Sequence, residues 1–444
     1  MANNTEILID TIPQLFELCN TIRQAAEHVV KEPASASVMK ADITAGIAAV
    51  EAAAGRLCPE TPPASTKLDD IPTMEGEQLF RFVTDWFTNT MGAYLVNQFR
   101  QYLQAEQQFT QESAEKIARW IMEDMPIQAS GKRELLLELG MRCAAWAPEF
   151  SWRLMSQVMD TMPPEDQKKI FPHWSGALYR PGVHPQTKLT CCPICGGVGI
   201  PYHAALSGRM VNFNSLFLPV KLWMRCQECE NLYTRYFPTE FLQLGKAPKI
   251  LQPAPNRMVI RQVQKDALHI WCNILNKIRA YTNGMDLLEV GVGQGHLIAV
   301  AQEMGYHVTA VELIESDAQE TADLLGISVI CGDFLHLNEQ EKVDIITMGD
   351  VIEHLQYPVE GLKKAHAMLK ENGILWLSTP NFESSFTRLM KAFDPMWCEP
   401  YHITYFSYKG LMSILKKVGF ELLEYAVSNR YNGSMELLLR KVRL

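Results

Sequence analysis

At 444 residues, of which 47% are hydrophobic, the chain is long enough for roughly two to three domains with buried cores. Its formal net charge of −9 at pH 7 argues against broad nucleic-acid binding, which needs lysine and arginine to neutralise phosphates. The sequence also lacks an apolar stretch of transmembrane length and a basic secretory start, so we expect a cytoplasmic protein with no membrane partner.

Residues 1–165 are predicted to form an all-α domain, because their apolar residues recur at helical spacing. A proline-rich break at 59–65 divides this domain. The segment contains no catalytic constellation, so we interpret it as a domain for docking, oligomerisation or acceptor capping, with a homo-oligomer or a protein partner as the expected associations. The predicted helices lie at 7–18, 41–57, 75–107, 111–124 and 131–159.

A linker at 180–185 leads into a cysteine-containing segment, residues 185–245. Its two C-x-x-C pairs, separated by thirty residues, supply four thiolates, the number that a structural zinc ion takes in tetrahedral geometry. Four protein ligands leave no open position, so the zinc would be structural. The alternative is two chance pairs of reduced, buried cysteines without metal. Within the zinc interpretation, Cys191 is a spare thiol and His203 is a less favoured substitute ligand. The predicted zinc ligands are Cys192, Cys195, Cys226 and Cys229.

After a second linker at 248–255, strands and helices alternate through residues 257–444, which predicts an α/β domain with a parallel sheet between two layers of helices. An antiparallel hairpin around an Asn432-Gly433 turn closes the sheet. The predicted strands lie at 285–290, 307–312, 327–331, 343–348, 373–378, 420–427 and 434–442, and the helices at 257–281, 296–304, 317–325, 358–370 and 408–418.

A glycine-rich turn follows the first of these strands. The strand carries Glu289 near its end, and glycines follow at alternate positions, Gly291, Gly293 and Gly295. Glycine lets the backbone approach a ligand closely, and a carboxylate at the end of the next strand, here Glu312, can accept hydrogen bonds from both hydroxyls of a ribose. The pattern indicates a nucleoside cofactor, although its G-x-G-x-G spacing differs from the G-x-G-x-x-G of dinucleotide-binding loops.

The loop resembles motif I of class I S-adenosylmethionine (SAM) dependent methyltransferases, and the resemblance covers roughly residues 260–444. It implies a Rossmann-like, seven-stranded methyltransferase domain that binds SAM, with Glu289 and the three glycines along the methionine and ribose of the cofactor. Glu312, followed by Leu313, would hold the ribose. A solvated loop carboxylate is the alternative for Glu312.

Two further strand ends fit the same family. Asp333 and Phe334 follow the third strand, and the resemblance implies that Asp333 accepts a hydrogen bond from the adenine amino group while Phe334 helps to cover the ring. For Asp333 the alternative is a turn or N-cap aspartate. Asp350 opens the segment Asp350–Leu355 after the fourth strand, which resembles the motif that closes over the methyl group.

Methyl transfer requires an acceptor in line with the S–CH3 bond, and a hydroxyl or carbon acceptor also needs a general base. Histidine titrates near neutral pH, and His354 and His402 both follow strand ends. The segment that begins at His402 resembles the H-x-x-x-F-S stretch of small-molecule methyltransferases. Trp397, Tyr401 and Tyr405 beside it would wall an acceptor pocket. For both histidines a structural hydrogen bond is the alternative.

The cysteine segment resembles the zinc-binding module found ahead of some methyltransferase domains, including C-methyltransferases that act on nucleotide-linked deoxysugars. We therefore expect methyl transfer to a hydroxyl or carbon of a small molecule, such as a sugar, a glycan precursor or a secondary metabolite. Nucleobase methylation is not expected, because the Asn/Asp-Pro-Pro-aromatic motif and a Pro-Cys dipeptide are both missing. The alternatives are a methyltransferase that acts on a protein or RNA docked by the zinc and helical regions, and a non-catalytic SAM-sensing scaffold.

Overall fold

The fold is that of a computed structural model, which describes residues 15, 18, 22, 25–57, 68–86, 91, 132–145, 147–207, 213–242, 248–254, 263, 267–337 and 342–443. The chain divides into two compact units, Met1–Ile170 and Phe171–Leu444. In these described ranges no helix combines the length and the apolar character needed to cross a bilayer.

The first unit is helical in its described part, as expected. Ile43, Ile47, Val50 and Ala54 recur at helical spacing in its longest helix and are fully buried, so this helix turns one apolar face to the core. The predicted helices at 7–18 and 111–124 lie largely or wholly outside the described residues. The helices are α1 (Ala36–Leu57), α2 (Gly76–Asp85), α3 (Lys132–Cys143), α4 (Pro148–Asp160) and α5 (Pro164–Ile170).

The second unit begins with the cysteine-containing segment, whose described residues 186–242 we call the ribbon. Strands β2, β3 and β4 form an antiparallel meander, and β1 pairs separately with β5. The ribbon elements are β1 (Gln186–Lys188), β2 (Gly199–Leu206), β3 (Val220–Cys226), β4 (Leu232–Thr234), β5 (Tyr236–Pro238) and α6 (Thr239–Leu242).

The alternating region that follows the ribbon forms the large sheet and its helices. The strands of this region are β6 (Lys249–Leu251), β7 (Asp286–Val290), β8 (His307–Glu312), β9 (Val329–Cys331), β10 (Val343–Gly349), β11 (Leu369–Pro380), β12 (Thr404–Tyr405), β13 (Phe420–Val427) and β14 (Ser434–Lys441). The helices are α7 (Ala267–Arg279), α8 (His296–Glu303), α9 (Glu315–Leu325), α10 (Pro358–Met368), α11 (Ser385–Met390) and α12 (Tyr408–Val418).

The large sheet has eight strands in the order β13-β14-β11-β10-β7-β8-β9-β6. Strands β7 to β11 are parallel, and β14 runs antiparallel between β11 and β13. Seven of the strands make up the expected Rossmann-like methyltransferase fold. Their central positions, such as Leu287, Ile345 and Ile374, are fully buried, because helices cover both faces of a parallel sheet.

The eighth strand of the sheet, β6, is absent from the sequence-based prediction. The stretch 248–255, expected to be a linker, contains β6, which pairs antiparallel with β9 through Lys249 and Cys331. An ion pair of 2.6 Å between Lys249 and Glu315 lies at the same edge. A three-residue strand between prolines has no pattern of its own to reveal it, because its stability comes from the exposed edge of β9 that it covers.

The ribbon and the methyltransferase fold share a sheet. Strand β12, which belongs to the segment after β11, pairs antiparallel with β4, so the second sheet has the order β12-β4-β3-β2. The segment that carries His402 therefore enters the edge of the ribbon, a pairing that the local sequence does not predict because it joins residues distant along the chain.

Candidate active site and cysteine cluster

The predicted cofactor residues lie at one edge of the large sheet. Parallel strands bring their carboxyl ends to the same edge, where open α/β sheets bind ligands. Here main-chain bonds extend the strand pairing directly into the loops: the Gly291 amide donates to Val311 and the Gly332 amide to Glu312, both at 2.8 Å. The sheet thus places the loops after β7, β8 and β9 side by side.

The glycine loop needs glycine for two different reasons. Gly291, Gly293 and Gly295 have φ of 77°, 51° and 76°, a region that side-chain-bearing residues rarely adopt. A Cβ on Gly291 would lie 2.6 Å from the Cγ2 of Val351, whereas a Cβ on Gly293 would meet nothing within 4 Å. The backbone at Gly293 is therefore turned towards open space, where a ligand could approach it.

Two carboxylates flank this loop. Glu289 is 6% exposed and its Oε2 has no hydrogen-bond partner among the described residues. Burial raises its pKa well above the usual value, against the opposing effect of Arg430. Glu312 is 8% exposed and accepts hydrogen bonds from the amides of Gly293 at 3.4 Å and Ile314 at 3.0 Å. The alternative of a solvated loop acid does not describe Glu312, because its carboxylate is buried against the glycine loop.

The next three predicted cofactor residues along the chain differ in exposure. Leu313 is 40% exposed, whereas Phe334 is 4% exposed. The Asp333 carboxylate caps a short 3-10 turn, accepting from the Leu335 amide at 2.9 Å, and lies 3.0 Å from the Nδ1 of His336. Asp333 thus has the N-cap role that its sequence context left open.

Asp350 is held in an unusual conformation by a residue that the sequence analysis did not identify. Its φ is 56°, its Oδ1 accepts from Ser378 at 3.1 Å, and its Oδ2 lies 2.9 Å from the Nη2 of Arg430. The Arg430 guanidinium stacks over Trp271 at 4.2 Å. Arg430 lies in the turn between β13 and β14, where a local pattern indicates only a turn. Its contact with Asp350 becomes visible only in the folded sheet, where β14 pairs with β11 and β11 pairs with β10.

The two predicted catalytic histidines lie next to each other. The ring centroids of His354 and His402 are 4.7 Å apart, and the His402 ring is buried, with its Nδ1 lacking a partner in the described structure. The Nδ1 of His354 lies 3.1 Å from the carbonyl of Tyr401. Desolvation by the atoms packed around each ring lowers the pKa of His354 to about 4 and that of His402 well below its usual value. Both imidazoles are therefore neutral at pH 7, and the same lowering makes each a weaker base than a free imidazole.

Glu353 completes this group. Its side chain is fully buried, its Oε2 accepts from the Thr379 hydroxyl at 3.0 Å, and its Oε1 has no partner among the described residues. One ligand atom each of Glu353, His354 and His402 lie within 4.8 Å of one another, so these three side chains could hold a metal ion. Glu353 lies in the segment Asp350–Leu355 after β10, whose sequence pattern assigns it no role of its own.

The loop that carries His402 is held by the ribbon through its main chain. Lys221 of β3 donates to the carbonyls of Glu399 at 2.5 Å and His402 at 2.7 Å. Trp223 Nε1 donates to the Trp397 carbonyl at 3.0 Å, while the Ser407 amide donates to the side chain of Asn231 at 3.0 Å. These ribbon-to-loop hydrogen bonds orient residues 397–407 from one side.

The structure differs from the expectation that Trp397, Tyr401 and Tyr405 together line an acceptor pocket. Trp397 and Tyr405 are 4% and 0% exposed and pack in one core cluster with Trp223, Leu232 and neighbouring ribbon residues. The ribbon packs over both side chains. Tyr401 alone of the three expected aromatic residues is exposed, at 38%.

The four predicted zinc ligands converge. The Sγ atoms of Cys192 and Cys229 are 3.7 Å apart, those of Cys195 and Cys226 are 3.4 Å apart, and all four lie within 4.8 Å of one another. Sulfur atoms at about 2.3 Å from a tetrahedral zinc are separated by about 3.8 Å, so the thiols fit the ion.

The two halves of the cysteine cluster have the same backbone geometry. The Gly196 amide donates to the Cys192 carbonyl at 2.8 Å, and the Glu230 amide donates to the Cys226 carbonyl at 3.1 Å. The residue after each pair is left-handed, with φ of 77° at Gly196 and 60° at Glu230. His203 is instead buried against Trp397, and Cys191 is an exposed free thiol.

Comparisons with known proteins agree with this fold. Residues 261–425 match a family model described as "Methyltransferase domain". The ubiquinone biosynthesis O-methyltransferase of Glaesserella parasuis serovar 5 (strain SH0165) is 30% identical over 128 residues, which cover 24% of this chain and 54% of that protein. The protein of the same name from Bradyrhizobium diazoefficiens is 32% identical over 103 residues, covering 22% of this chain and 41% of the relative. The chain thus spans about half the length of the curated relatives it matches.

Among solved structures, the magnesium protoporphyrin IX methyltransferase ChlM of Synechocystis PCC 6803, with bound SAH, is similar over 42% of this chain and 90% of that chain, with 19% identity and a TM-score of 0.33. A SAM-dependent methyltransferase from Clostridium acetobutylicum ATCC 824 is similar over 40% of this chain and 92% of that chain, with 15% identity and a TM-score of 0.33. The similarity to a methyltransferase domain in the family comparison applies to residues 261–425.

Proposed function

We propose that this protein, whose residues 261–425 form a methyltransferase domain, transfers a methyl group from SAM to a hydroxyl or carbon of a small-molecule acceptor. The observation that supports this most strongly is the grouping of the glycine loop, Glu289, Glu312 and Asp350 at one sheet edge, next to two neutral histidines. A non-catalytic SAM-sensing scaffold would need no unpaired, neutral histidine beside that edge.

The cofactor would be held by residues that already have free hydrogen-bonding capacity. The Oε2 of Glu289 is buried at the start of the glycine loop and has no partner among the described residues, and a buried oxygen of this kind indicates a missing polar ligand. Glu312 would accept hydrogen bonds from the ribose hydroxyls, while Asp333 and Phe334 would lie beside the adenine. SAM supplies a methyl group that is already activated by its sulfonium.

The acceptor would lie beside His354 and His402. A hydroxyl or carbon acceptor must lose a proton as the new bond to the methyl group forms, and a neutral imidazole can take it. We propose His402 as the base, because its buried Nδ1 has no other partner, and His354 as the second candidate. The names of the curated relatives, which are O-methyltransferases, support an oxygen acceptor.

We further propose that the four cysteines bind one structural zinc ion in the ribbon. The matched backbone turns at Cys192 and Cys226, with sulfur separations of 3.4 and 3.7 Å, support this ligand set. The described cysteines are free thiols, which agrees with a reducing compartment such as the cytoplasm. The helical unit would serve docking or oligomerisation.

The central test is incubation of the purified full-length chain with methyl-labelled SAM and a fractionated lysate. We expect label in the small-molecule fraction. Label in the protein or RNA fraction would instead support a macromolecular acceptor, and no label in any fraction would contradict an enzymatic role.

Two histidine variants give this test its controls. His402→Ala should reduce the transferred label by a factor of roughly 100 or more, the usual contribution of general base catalysis, with SAM affinity unchanged. His366→Ala removes a histidine whose Nε2 lies 3.1 Å from the Val442 carbonyl, outside the candidate site, and should keep normal turnover. Equal loss in both variants would reject His402 as the base.

A further inference from the structure

A short stretch of the ribbon around β4 runs alongside β12, the strand that follows His402. The Thr234 amide donates to the Ile403 carbonyl at 2.9 Å. The Ile403 amide donates to the Glu353 carbonyl, also at 2.9 Å. The residue after His402 is therefore held from two sides, by the ribbon and by the segment after β10.

Asn231 lies at the start of this ribbon stretch, beside the cysteine cluster, and is 0% exposed. Its main-chain carbonyl accepts from the Cys226 amide at 3.0 Å, and its main-chain amide donates to the sulfur of Cys229. Hydrogen bonds of this kind orient the ligands of a metal ion. Two of the four expected zinc ligands are thus bonded to the main chain of one residue.

The side chain of Asn231 contacts the segment that carries His402. Its Oδ1 accepts from the Ser407 amide at 3.0 Å, and Ser407 caps α12 by accepting from the Gly410 amide at 3.0 Å. A Cβ at Gly410 would overlap the side-chain amide of Asn231, so the first turn of α12 packs directly against it. This close approach requires a residue without a side chain at position 410.

The hydrogen bonds of Asn231 separate into two groups. Its main chain serves the cysteine cluster, whereas its side-chain oxygen serves the start of α12. The Nδ2 is buried without a partner among the described residues. Burying a polar group lowers stability unless it is hydrogen-bonded, so the residue is better explained by the connection that its oxygen makes than by filling the core.

We propose that Asn231 is a positioning residue that connects the metal-bound cysteine cluster to the loop carrying His402. With the ion bound, the turn around Cys226 and Cys229 is fixed, and Asn231 keeps Ser407 and the start of α12 in place. Loss of the ion loosens the segment that places His402 beside the cofactor edge, while the loops after β7, β8 and β9 keep their structure. The connection rests on the proposed zinc site, and its effect on methyl transfer rests on the proposed function.

The test is hydrogen–deuterium exchange of the full-length, zinc-loaded protein, followed by mass spectrometry for residues 403–411 before and after a chelator removes the zinc. Zinc removal should speed exchange in this peptide at least about tenfold, as expected when buried hydrogen bonds are lost. Asn231→Leu preserves the size of the side chain but removes its oxygen. This variant should retain zinc through its main-chain bonds, exchange faster than the wild type while zinc is bound, and exchange like the wild type once zinc is removed.

Three further variants support this comparison. Asn231→Asp keeps an oxygen for the Ser407 amide and places a carboxylate at the N-terminus of α12, so it should restore slow exchange. Gly410→Ala displaces the Asn231 side chain without changing a ribbon residue, and should reproduce the fast exchange even if Asn231→Leu fails to fold. Asn276→Leu, at an exposed position of α7, is the matched control and should behave like the wild type.

Unchanged exchange in zinc-loaded Asn231→Leu and Gly410→Ala would overturn the connection. A difference from the wild type that persists after zinc removal would also overturn it, because Asn231 would then hold the loop independently of the metal.

In the labelled-SAM assay, zinc-loaded Asn231→Leu should transfer label more slowly by a factor of about ten or more, with unchanged SAM affinity, because His402 is misplaced. Normal transfer by this variant would overturn the positioning of His402 by Asn231. Absence of transfer by the wild type would reject the proposed function, and the exchange measurement would still decide whether Asn231 connects the metal site to the loop.

Discussion

Lys221 of the ribbon donates a hydrogen bond of 2.7 Å to the carbonyl of His402, the residue proposed as the base. The same ammonium group binds the carbonyl of Glu399. Lys221 is only 5% exposed, and burial lowers its pKa to about 7. A strand of the ribbon therefore determines the position of a residue in the candidate active site.

We expect Lys221→Met to destabilise the second unit by about 1–3 kcal/mol, because the buried carbonyl of His402 and the partly buried carbonyl of Glu399 lose their donor. The pKa of His402 should rise as well, since the positive charge of Lys221 contributes to its lowering. Urea unfolding and histidine NMR titration measure the two effects.

The control for this substitution is Lys409→Met. Lys409 pairs with Glu230 at the surface, with its side chain 78% exposed, so its loss should change stability by less than about 0.5 kcal/mol. Equal unfolding curves for the two variants would show that Lys221 does not support the loop.

Glu312→Ala should weaken SAM binding by about 1–3 kcal/mol, or about 5- to 150-fold, because the ribose hydroxyls would lose the carboxylate that accepts their hydrogen bonds. Glu315→Ala is a nearby control, since Glu315 is half exposed and pairs with Lys249 at the sheet edge. Calorimetry with purified protein measures both. Unchanged affinity in Glu312→Ala would remove Glu312 from the ribose site.

Metal analysis of freshly purified protein should find zinc bound by the cysteine cluster, one ion per chain. Cys226→Ser should lose that zinc and lower the thermal midpoint, because β3 ends at this ligand and also carries Lys221. Cys191→Ser removes an exposed thiol outside the cluster and should retain the zinc. Zinc-free wild-type protein would contradict the structural metal site.

His203 should make the second unit sensitive to acid. Burial against Trp397 lowers its pKa to about 3 from an ordinary value of 6.5, so between these pH values the unfolded chain binds a proton that the folded chain does not. The contribution of neutral His203 to the free energy of unfolding is therefore fully present above pH 6.5. It decreases as the pH falls, by about 1.4 kcal/mol per pH unit.

The variant His203→Phe keeps an aromatic ring against Trp397 and should lose less stability than the wild type between pH 7 and pH 5. Urea unfolding of both proteins at the two pH values gives the difference, which should be about 2 kcal/mol in favour of the variant. An equal loss of stability in both would mean that His203 does not control this response.

Local patterns were sufficient to predict much of the architecture. Alternation of strands with amphipathic helices predicted the Rossmann-like sheet, because strand and helix periodicities are properties of contiguous residues. The same holds for the glycine loop at 291–295 and the paired cysteines, whose chemistry depends on spacing of a few residues. These features were identified without knowledge of any long-range contact.

Other features depend on contacts between distant parts of the chain. Arg430 reaches Asp350 only because the last hairpin pairs with β11, the neighbour of β10, and Lys221 reaches His402 only because β12 joins the ribbon sheet. The same packing buries Trp397 and Tyr405, which a linear pattern could not distinguish from pocket residues. Only the tertiary structure decides which side chains are buried, which strands pair and that Glu353 lies beside two histidines. The reason is that the free energy of each contact depends on which surfaces the fold brings together.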